Sequence, residues 1–176
     1  MAKPGPSRQR QADLALARIR AARPAEAAAL TELALAAKAH WGYPASFMAR
    51  CRPALTIDAA MIRERLFRVA ENGAGEILGF YGFEPEPDGI GLSHLFVRPA
   101  AIGGGIGRAL WEDAVAEARR AVKESTGRCL IIVGDPHAAG FYRRMGAVPA
   151  GAVPSEVEPA RALPLFRLPL DGTTPD

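Results

Sequence analysis

A chain of 176 residues with 49% hydrophobic side chains is sized for one domain and lies outside the disordered and fibrous composition ranges. The net charge of +3 is uneven: residues 1–23 carry six basic groups against one acid, and the remainder is mildly acidic, which argues against a nucleic-acid-binding face. Two cysteines with no CxxC pair exclude a disulfide scaffold, no apolar run reaches membrane-span length, and no apolar signal core follows Lys3. A cytoplasmic protein with neither nucleic acid nor membrane as partner is expected.

Residues 1–10 read as a flexible polar lead. The stretch 11–22 is compatible with a helical start, or with a short first strand at 19–22 that Arg23-Pro24 ends. From Ala25, apolar residues at Ala27, Leu30, Ala34, Ala37 and Trp41 recur at helical spacing until Gly42-Tyr43-Pro44 stops the run. Asp58 is placed to cap a second helix through 65, with Ile62 and Leu66 on its apolar side. Strands are expected at 68–71 and 77–84 around the turn signal Asn72-Gly73, then a polar turn from Glu84 to Gly91. A central strand is expected at 92–97.

The run Gly103-Gly104-Gly105-Ile106-Gly107 then opens a helix to about 123, with Ile106, Leu110, Ala114, Ala118 and Val122 on one stripe. A strand at 129–133, a short helix at 138–145 and a final strand at 163–168 complete a mixed α/β order. Pro164 marks the last strand's start or its place at a sheet edge. Cys129 reads as a buried thiol. No HExxH, paired-histidine or cysteine-cluster spacing suggests a metal, so none is expected.

Strand, glycine turn and helix form a general anion site, because first-turn amides point outward and glycine leaves room for a phosphate. A turn that serves packing alone would look the same. The P-loop pattern fails, since Arg108-Ala109 stands where Lys-Ser or Lys-Thr is needed. The dinucleotide fingerprint fails for want of its third glycine.

The stretch 92–110, LSHLFVRPAAIGGGIGRAL, resembles the cofactor motif of the GNAT superfamily of N-acyltransferases. A second stretch, 135–147, DPHAAGFYRRMGA, resembles that family's later strand–helix motif with its phenylalanine-tyrosine pair. The likeness runs from about Ile19 to Leu168. It implies one acyltransferase domain over 19–170, a basic extension at 1–18, a polar tail at 171–176, and a central mixed, mostly antiparallel sheet flanked by helices.

The same resemblance implies an N-acetyltransferase using acetyl-CoA as co-substrate, by direct attack of an amine in a ternary complex. A non-catalytic acyl-CoA-binding regulatory module is the alternative. Gly103, Gly104, Gly105, Ile106, Gly107 and Arg108 match the pyrophosphate-binding turn, Leu95, Phe96 and Val97 the strand that meets the pantetheine arm, and Tyr142 the general acid. His137, implied as a further cofactor-binding residue with Tyr142, stands where an asparagine is common, and Ile102 where the family often has Arg or Gln. Glu84 and His94 are the candidate bases. His40, Trp41 and Tyr43, with Glu84, fall where the family lines its acceptor pocket. The acceptor would be a small-molecule amine or a protein amino group, and a homodimer is plausible by analogy.

Overall fold

The computed structural model describes residues 17–122 and 129–171. In chain order they form β1 (Arg18–Ala21), a 3-10 turn (Pro24–Glu26), α1 (Ala27–Ala39), α2 (Ala45–Leu55), α3 (Ala59–Glu64), β2 (Phe67–Glu71), β3 (Ile77–Glu86), β4 (Gly89–Val97), a 3-10 turn (Pro99–Ala101), α4 (Ile106–Val122), β5 (Cys129–Val133), a 3-10 turn (Pro136–Ala138), α5 (Ala139–Arg144), β6 (Val148–Pro154) and β7 (Ala162–Pro169). The seven strands make one sheet in the order β1-β2-β3-β4-β5-β7-β6. Every pairing is antiparallel except β4 with β5, whose crossover carries α4, as a parallel connection requires.

Local chemistry explains the elements that fix the frame. Asn72 closes the β2–β3 hairpin, its Oδ1 accepting from the Ala74 amide at 3.1 Å and the Glu76 amide at 2.9 Å. The turn finishes at Gly75 with φ +81°, where a side chain would be strained. Asp58 caps α3 by accepting from the Met61 amide at 2.8 Å.

The sheet separates two apolar clusters. On one face α4 buries Ile106, Leu110, Trp111, Ala114 and Ala118 against Tyr81, Leu92, Leu130 and Phe166. On the other face α1 buries Leu30, Leu33 and Ala34 against Phe67, Val69 and Phe80. Each fully buried leucine or phenylalanine contributes roughly 1.5–3 kcal/mol, so these faces fix the register.

Two irregularities in β4 open one edge of the strand and set the direction of its side chains. It pairs with β5 only over Gly89–Gly91, against Cys129–Ile131, and the two strands then part. Beyond Gly91 the β5-facing edge of β4 lies along an open gap. The pairing with β3 also slips, Phe83 facing Leu92 while Gly82 faces His94, so Ser93 is bulged out. The bulge resets the alternation: Leu92, Leu95 and Val97 pack with the α4 cluster, whereas His94 and Phe96 meet Phe80 on the α1 side.

Several expectations need correction. β1 is the strand alternative for the N-terminal segment; the rest of 1–18 lies mostly outside the described residues, as do Lys123 and most of the tail 171–176. Trp41 falls beyond α1 and is 41% exposed instead of lying on its apolar face, and Leu66 likewise lies outside α3. The polar turn at Glu84–Gly91 shrinks to Pro87-Asp88, because β3 and β4 run on and Glu84 pairs with Gly91 inside the sheet.

Two elements were not expected at all. α2 carries Pro53 in its last turn, and β6 carries Pro149 and Pro154, residues that ordinarily argue against such elements. β6 tolerates them as an edge strand. Its presence makes β7 internal, so Pro164 marks neither an edge nor a start; its carbonyl accepts from the Gly134 amide at 2.9 Å. Cys129 is only partly buried, whereas Cys51 is buried, and both thiols are free.

Candidate active site

The glycine turn sits at the start of α4 beside the open edge of β4. Gly103 and Gly105 have φ of +83° and +85°, the left-handed region that glycine tolerates best. A Cβ on either would meet no atom within 4 Å, so packing does not demand glycine there; backbone conformation does. The Gly105 carbonyl accepts the first helical bond, from the Ala109 amide at 3.0 Å. Among the described residues the amides of Ile106, Gly107 and Arg108 make no hydrogen bond. Three free N–H groups and the positive end of the helix dipole therefore face outward from an unobstructed turn. The Arg108 side chain is exposed and donates to Glu112 at 2.7 Å, and Ile102 is exposed and apolar, so the anion-holding groups of this turn are main-chain.

The gap between β4 and β5 continues this surface. The Arg98 amide donates to the Leu78 carbonyl at 2.8 Å, which directs its polar groups toward β3. By strand alternation Phe96 and His94 point the same way, and the amides of Leu95 and Val97 point into the gap. Of the three strand residues expected to meet a pantetheine arm, Leu95 and Val97 have main-chain groups free to do so. At the far side of the gap β5 ends at Val133 and is followed by Gly134-Asp135. A Cβ on Gly134 would lie 3.0 Å from Tyr142 Cε2, so this glycine makes room for the phenol. Tyr142 is 6% exposed, boxed by Trp111, Phe141 and Phe166, and burial followed by the Asp135 charge raises its pKa above that of an ordinary phenol. It stays protonated at neutral pH.

The two candidate bases have different environments. Glu84 lies on β3 at the mouth of the gap, with Glu86, Ser93, Ile131 and Val133, and Arg65 approaches it at 3.8 Å. Burial, then the negative charge of Glu86, raise its pKa against the pull of Arg65, with Glu156 adding to the rise. His94 is packed against the rings of Phe67, Phe80 and Phe96, with Gly82 leaving space for Phe67. Ser93 Oγ donates to the Gly82 carbonyl at 3.0 Å, so its 2.8 Å contact with His94 Nδ1 requires the proton on Nδ1 and leaves Nε2 as the acceptor.

Burial, reinforced by Arg65, pulls the His94 pKa from 6.5 down to about 4. The unfolded chain therefore takes the proton first on acidification. The stability linked to neutral His94 is complete above about 6.5 and is lost as pH falls through about 4, an expected loss of about 3 kcal/mol. Urea unfolding near neutrality and near pH 4 should show His94→Gln losing less on acidification than the parent protein, by about that amount.

The remaining candidates gather around Asp135. Its carboxylate accepts from Lys38 Nζ at 2.9 Å, from the Tyr43 hydroxyl at 2.9 Å, from the His137 amide at 3.1 Å and from Arg161 at 3.5 Å. Burial opposes its ionisation, but these partners outweigh burial and hold its pKa below the usual range. His137 stacks on Trp41 at 5.1 Å and meets the edge of Tyr43 at 5.6 Å, so it joins the aromatic group predicted for an acceptor pocket. His40, exposed, stands edge-on to Trp41 at 5.4 Å. Lys38, Asp135 and Arg161 carry no sequence signal for this role. Lys38 and Asp135 lie 97 positions apart, and no local pattern links them.

Comparison with known proteins decides the family. The acetyltransferase (GNAT) domain family matches residues 63–146, which span β2, β3, β4, the glycine turn, α4, β5 and α5. The chain carries a GNAT domain. A GNAT family acetyltransferase from Brucella melitensis in complex with acetyl-CoA is similar in structure, with 26% identity, a TM-score of 0.57, and coverage of 90% of this chain and 91% of that one. A GCN5-related N-acetyltransferase from Rhodopseudomonas palustris shares the fold at 20% identity and TM-score 0.69, covering 87% and 95% of the two chains. The PaiA N-acetyltransferase from Thermoplasma acidophilum, in complex with coenzyme A, does so at 14% identity and TM-score 0.68, covering 87% and 98%. No curated protein matches the chain by sequence.

The matched segment contains the parted strands, the open glycine turn and Tyr142. Among the described residues no helix is long and apolar enough to cross a membrane.

Proposed function

We propose that this GNAT protein is an N-acetyltransferase that moves an acetyl group from acetyl-CoA to a small-molecule amine in a ternary complex. The observation that carries this reading is the parting of β4 from β5 after Gly91, directly beside a helix start with free amides. A pyrophosphate suits the Ile106, Gly107 and Arg108 amides, and an extended arm suits the Leu95 and Val97 main chain. Bound acetyl-CoA supplies an activated acyl group. The residues of the chain hold it, orient it and manage protons. Amides aimed into the gap stabilise charge developing on the acyl oxygen.

The proton balance assigns Glu84 and Tyr142 separate roles. As the amine's N–C bond forms and the C–S bond breaks, the amine proton passes to Glu84 and the Tyr142 hydroxyl proton goes to sulfur. Glu84 suits the base role better than His94, since an imidazole with a pKa of about 4 is a weak proton acceptor while the Glu84 carboxylate is made more basic by burial. His94 then serves to position Ser93 and the β4 bulge.

The expected consequence is a pH profile of kcat/KM with an ascending limb above the ordinary carboxylate value of 4.5 and below the acceptor amine's own limb. Glu84→Gln should remove that limb and lower kcat/KM by about tenfold or more. The direct test is thiol release from acetyl-CoA across a panel of amines, with the N-acetyl product identified by mass. Release with an acylated product supports the reading. No release with any amine overturns it.

A further inference from the structure

The charge around the Tyr43 cleft does not balance. Asp135 is one carboxylate shared by two cations, Lys38 and Arg161, each with a side chain less than a fifth exposed. The Tyr43 hydroxyl between them does not neutralise the surplus, because burial and then the neighbouring Asp135 push its pKa up to about 12 and it stays a phenol. Arg161 donates only through one terminal nitrogen, to Tyr43 and to Asp135 at 3.5 Å. Its other N–H donors have no partner among the described residues. They border a cleft floored by Tyr43 and Phe47, over whose ring centroids the guanidinium sits at 4.7 Å and 5.0 Å. At the rim Arg50 and Glu158, 3.6 Å apart and half exposed, offset each other.

The opposite balance holds at Glu84, where Glu86 and Glu156 are close enough to affect its titration and Arg65 is the one opposing cation among the described residues. One loop contributes a charge to both regions, Glu156 to that of Glu84 and Arg161 to that of Tyr43. Residues 155–161 are closed by the Ser155 amide donating to the Arg161 carbonyl at 2.8 Å, with the Arg161 amide donating to Glu158 at 2.8 Å. This loop carries Glu156 toward Glu84 and Arg161 toward Tyr43. It therefore runs from an acidic end to a basic one.

Resting on the acetyl-transfer reading, we infer that the acceptor is an amino acid, a zwitterion whose ammonium enters beside Glu84 and whose carboxylate is received by Arg161. A guanidinium with spare donors in a part-buried, aromatic-floored cleft matches a carboxylate in charge and in geometry. A polyamine or a plain alkylamine would leave that positive surplus unmatched. The aromatic floor suits an apolar side chain.

The test compares acceptors that differ only in the acid group: phenylalanine, phenylalaninamide and phenethylamine, and the longer set of 6-aminohexanoate, its amide and hexylamine. In at least one set the carboxylated member should show a kcat/KM about 10- to 100-fold above its partners, since a site built for a charged hydrogen bond rejects the analogue lacking it. Arg161→Gln should collapse that ratio toward one, and Arg161→Lys should keep part of it. Acetyl-CoA affinity, measured separately, reports whether each variant is folded and whether the donor site is intact.

Equal or reversed preference in both sets, or a preference that survives Arg161→Gln, overturns the inference while leaving acetyl transfer standing. A loss of acetyl-CoA affinity matching the loss of activity would assign Arg161 to the donor and also overturn it. Absence of transfer to every amine would instead strike the acetyltransferase reading, and this inference with it.

Discussion

Tyr142→Phe is expected to lower kcat for amine acetylation about 100-fold while leaving acetyl-CoA affinity and thermal stability close to those of the parent protein. The phenol ring is a core element, boxed by Trp111, Phe141 and Phe166, and phenylalanine keeps that packing intact. No hydrogen bond joins its hydroxyl to another described side chain, and the hydroxyl is not a fully buried atom without a partner, so removing it leaves no buried partner unsatisfied. What the substitution takes away is a proton donor held protonated by burial and by Asp135. For the same reason the parent enzyme's kcat should show no alkaline loss from this group below the ordinary phenol value of 10.0. A loss confined to KM for acetyl-CoA would mean that Tyr142 binds the donor and does not donate to it. Unchanged kcat would remove it from the mechanism.

Gly105→Val is expected to weaken acetyl-CoA binding about 10- to 100-fold. At φ +85° a β-branched residue is strained by roughly 1–2 kcal/mol, and relaxing that strain turns the Ile106–Arg108 amides away from their shared outward direction. The added side chain also projects into open space, since no protein atom lies within 4 Å of the Cβ position, and that space is where a pyrophosphate would approach. Backbone strain alone is controlled by Gly75→Val, in the β2–β3 hairpin at φ +81°. Both variants should lose comparable stability in urea unfolding, but only Gly105→Val should raise the acetyl-CoA Kd. If both variants bind equally well, the turn is a packing device.

The elements proposed to hold the donor were legible in sequence because they are local. A strand, a glycine run and a periodic helix follow one another within 92–123, and free amides at a helix start are a property of any such junction. The Asn72 turn and the Asp58 cap were legible for the same reason, each being a side chain acting on backbone two to four residues away. The elements proposed to receive the acceptor were not. α2 was hidden by Pro53 and its arginines, and β6 by two prolines that only an edge strand tolerates. The Asp135 hub joins α1, the segment before α2, the end of β5 and the β6–β7 loop, contacts that only the tertiary fold creates. Glu84 was expected at a strand end beside a turn, yet β3 continues past it and its partner Gly91 marks where the sheet opens. The Ser93 bulge, which decides the faces on either side of it, leaves no pattern in an almost wholly apolar strand.

Titration of 15N-labelled protein with acetyl-CoA, followed by amide chemical shifts, reads directly the main-chain groups assigned to donor binding. The largest changes are expected at Ile106, Gly107 and Arg108, followed by Leu95 and Val97 along the open edge of β4. Saturable binding that leaves those five amides unmoved, or no perturbation anywhere at high donor concentration, would contradict that assignment.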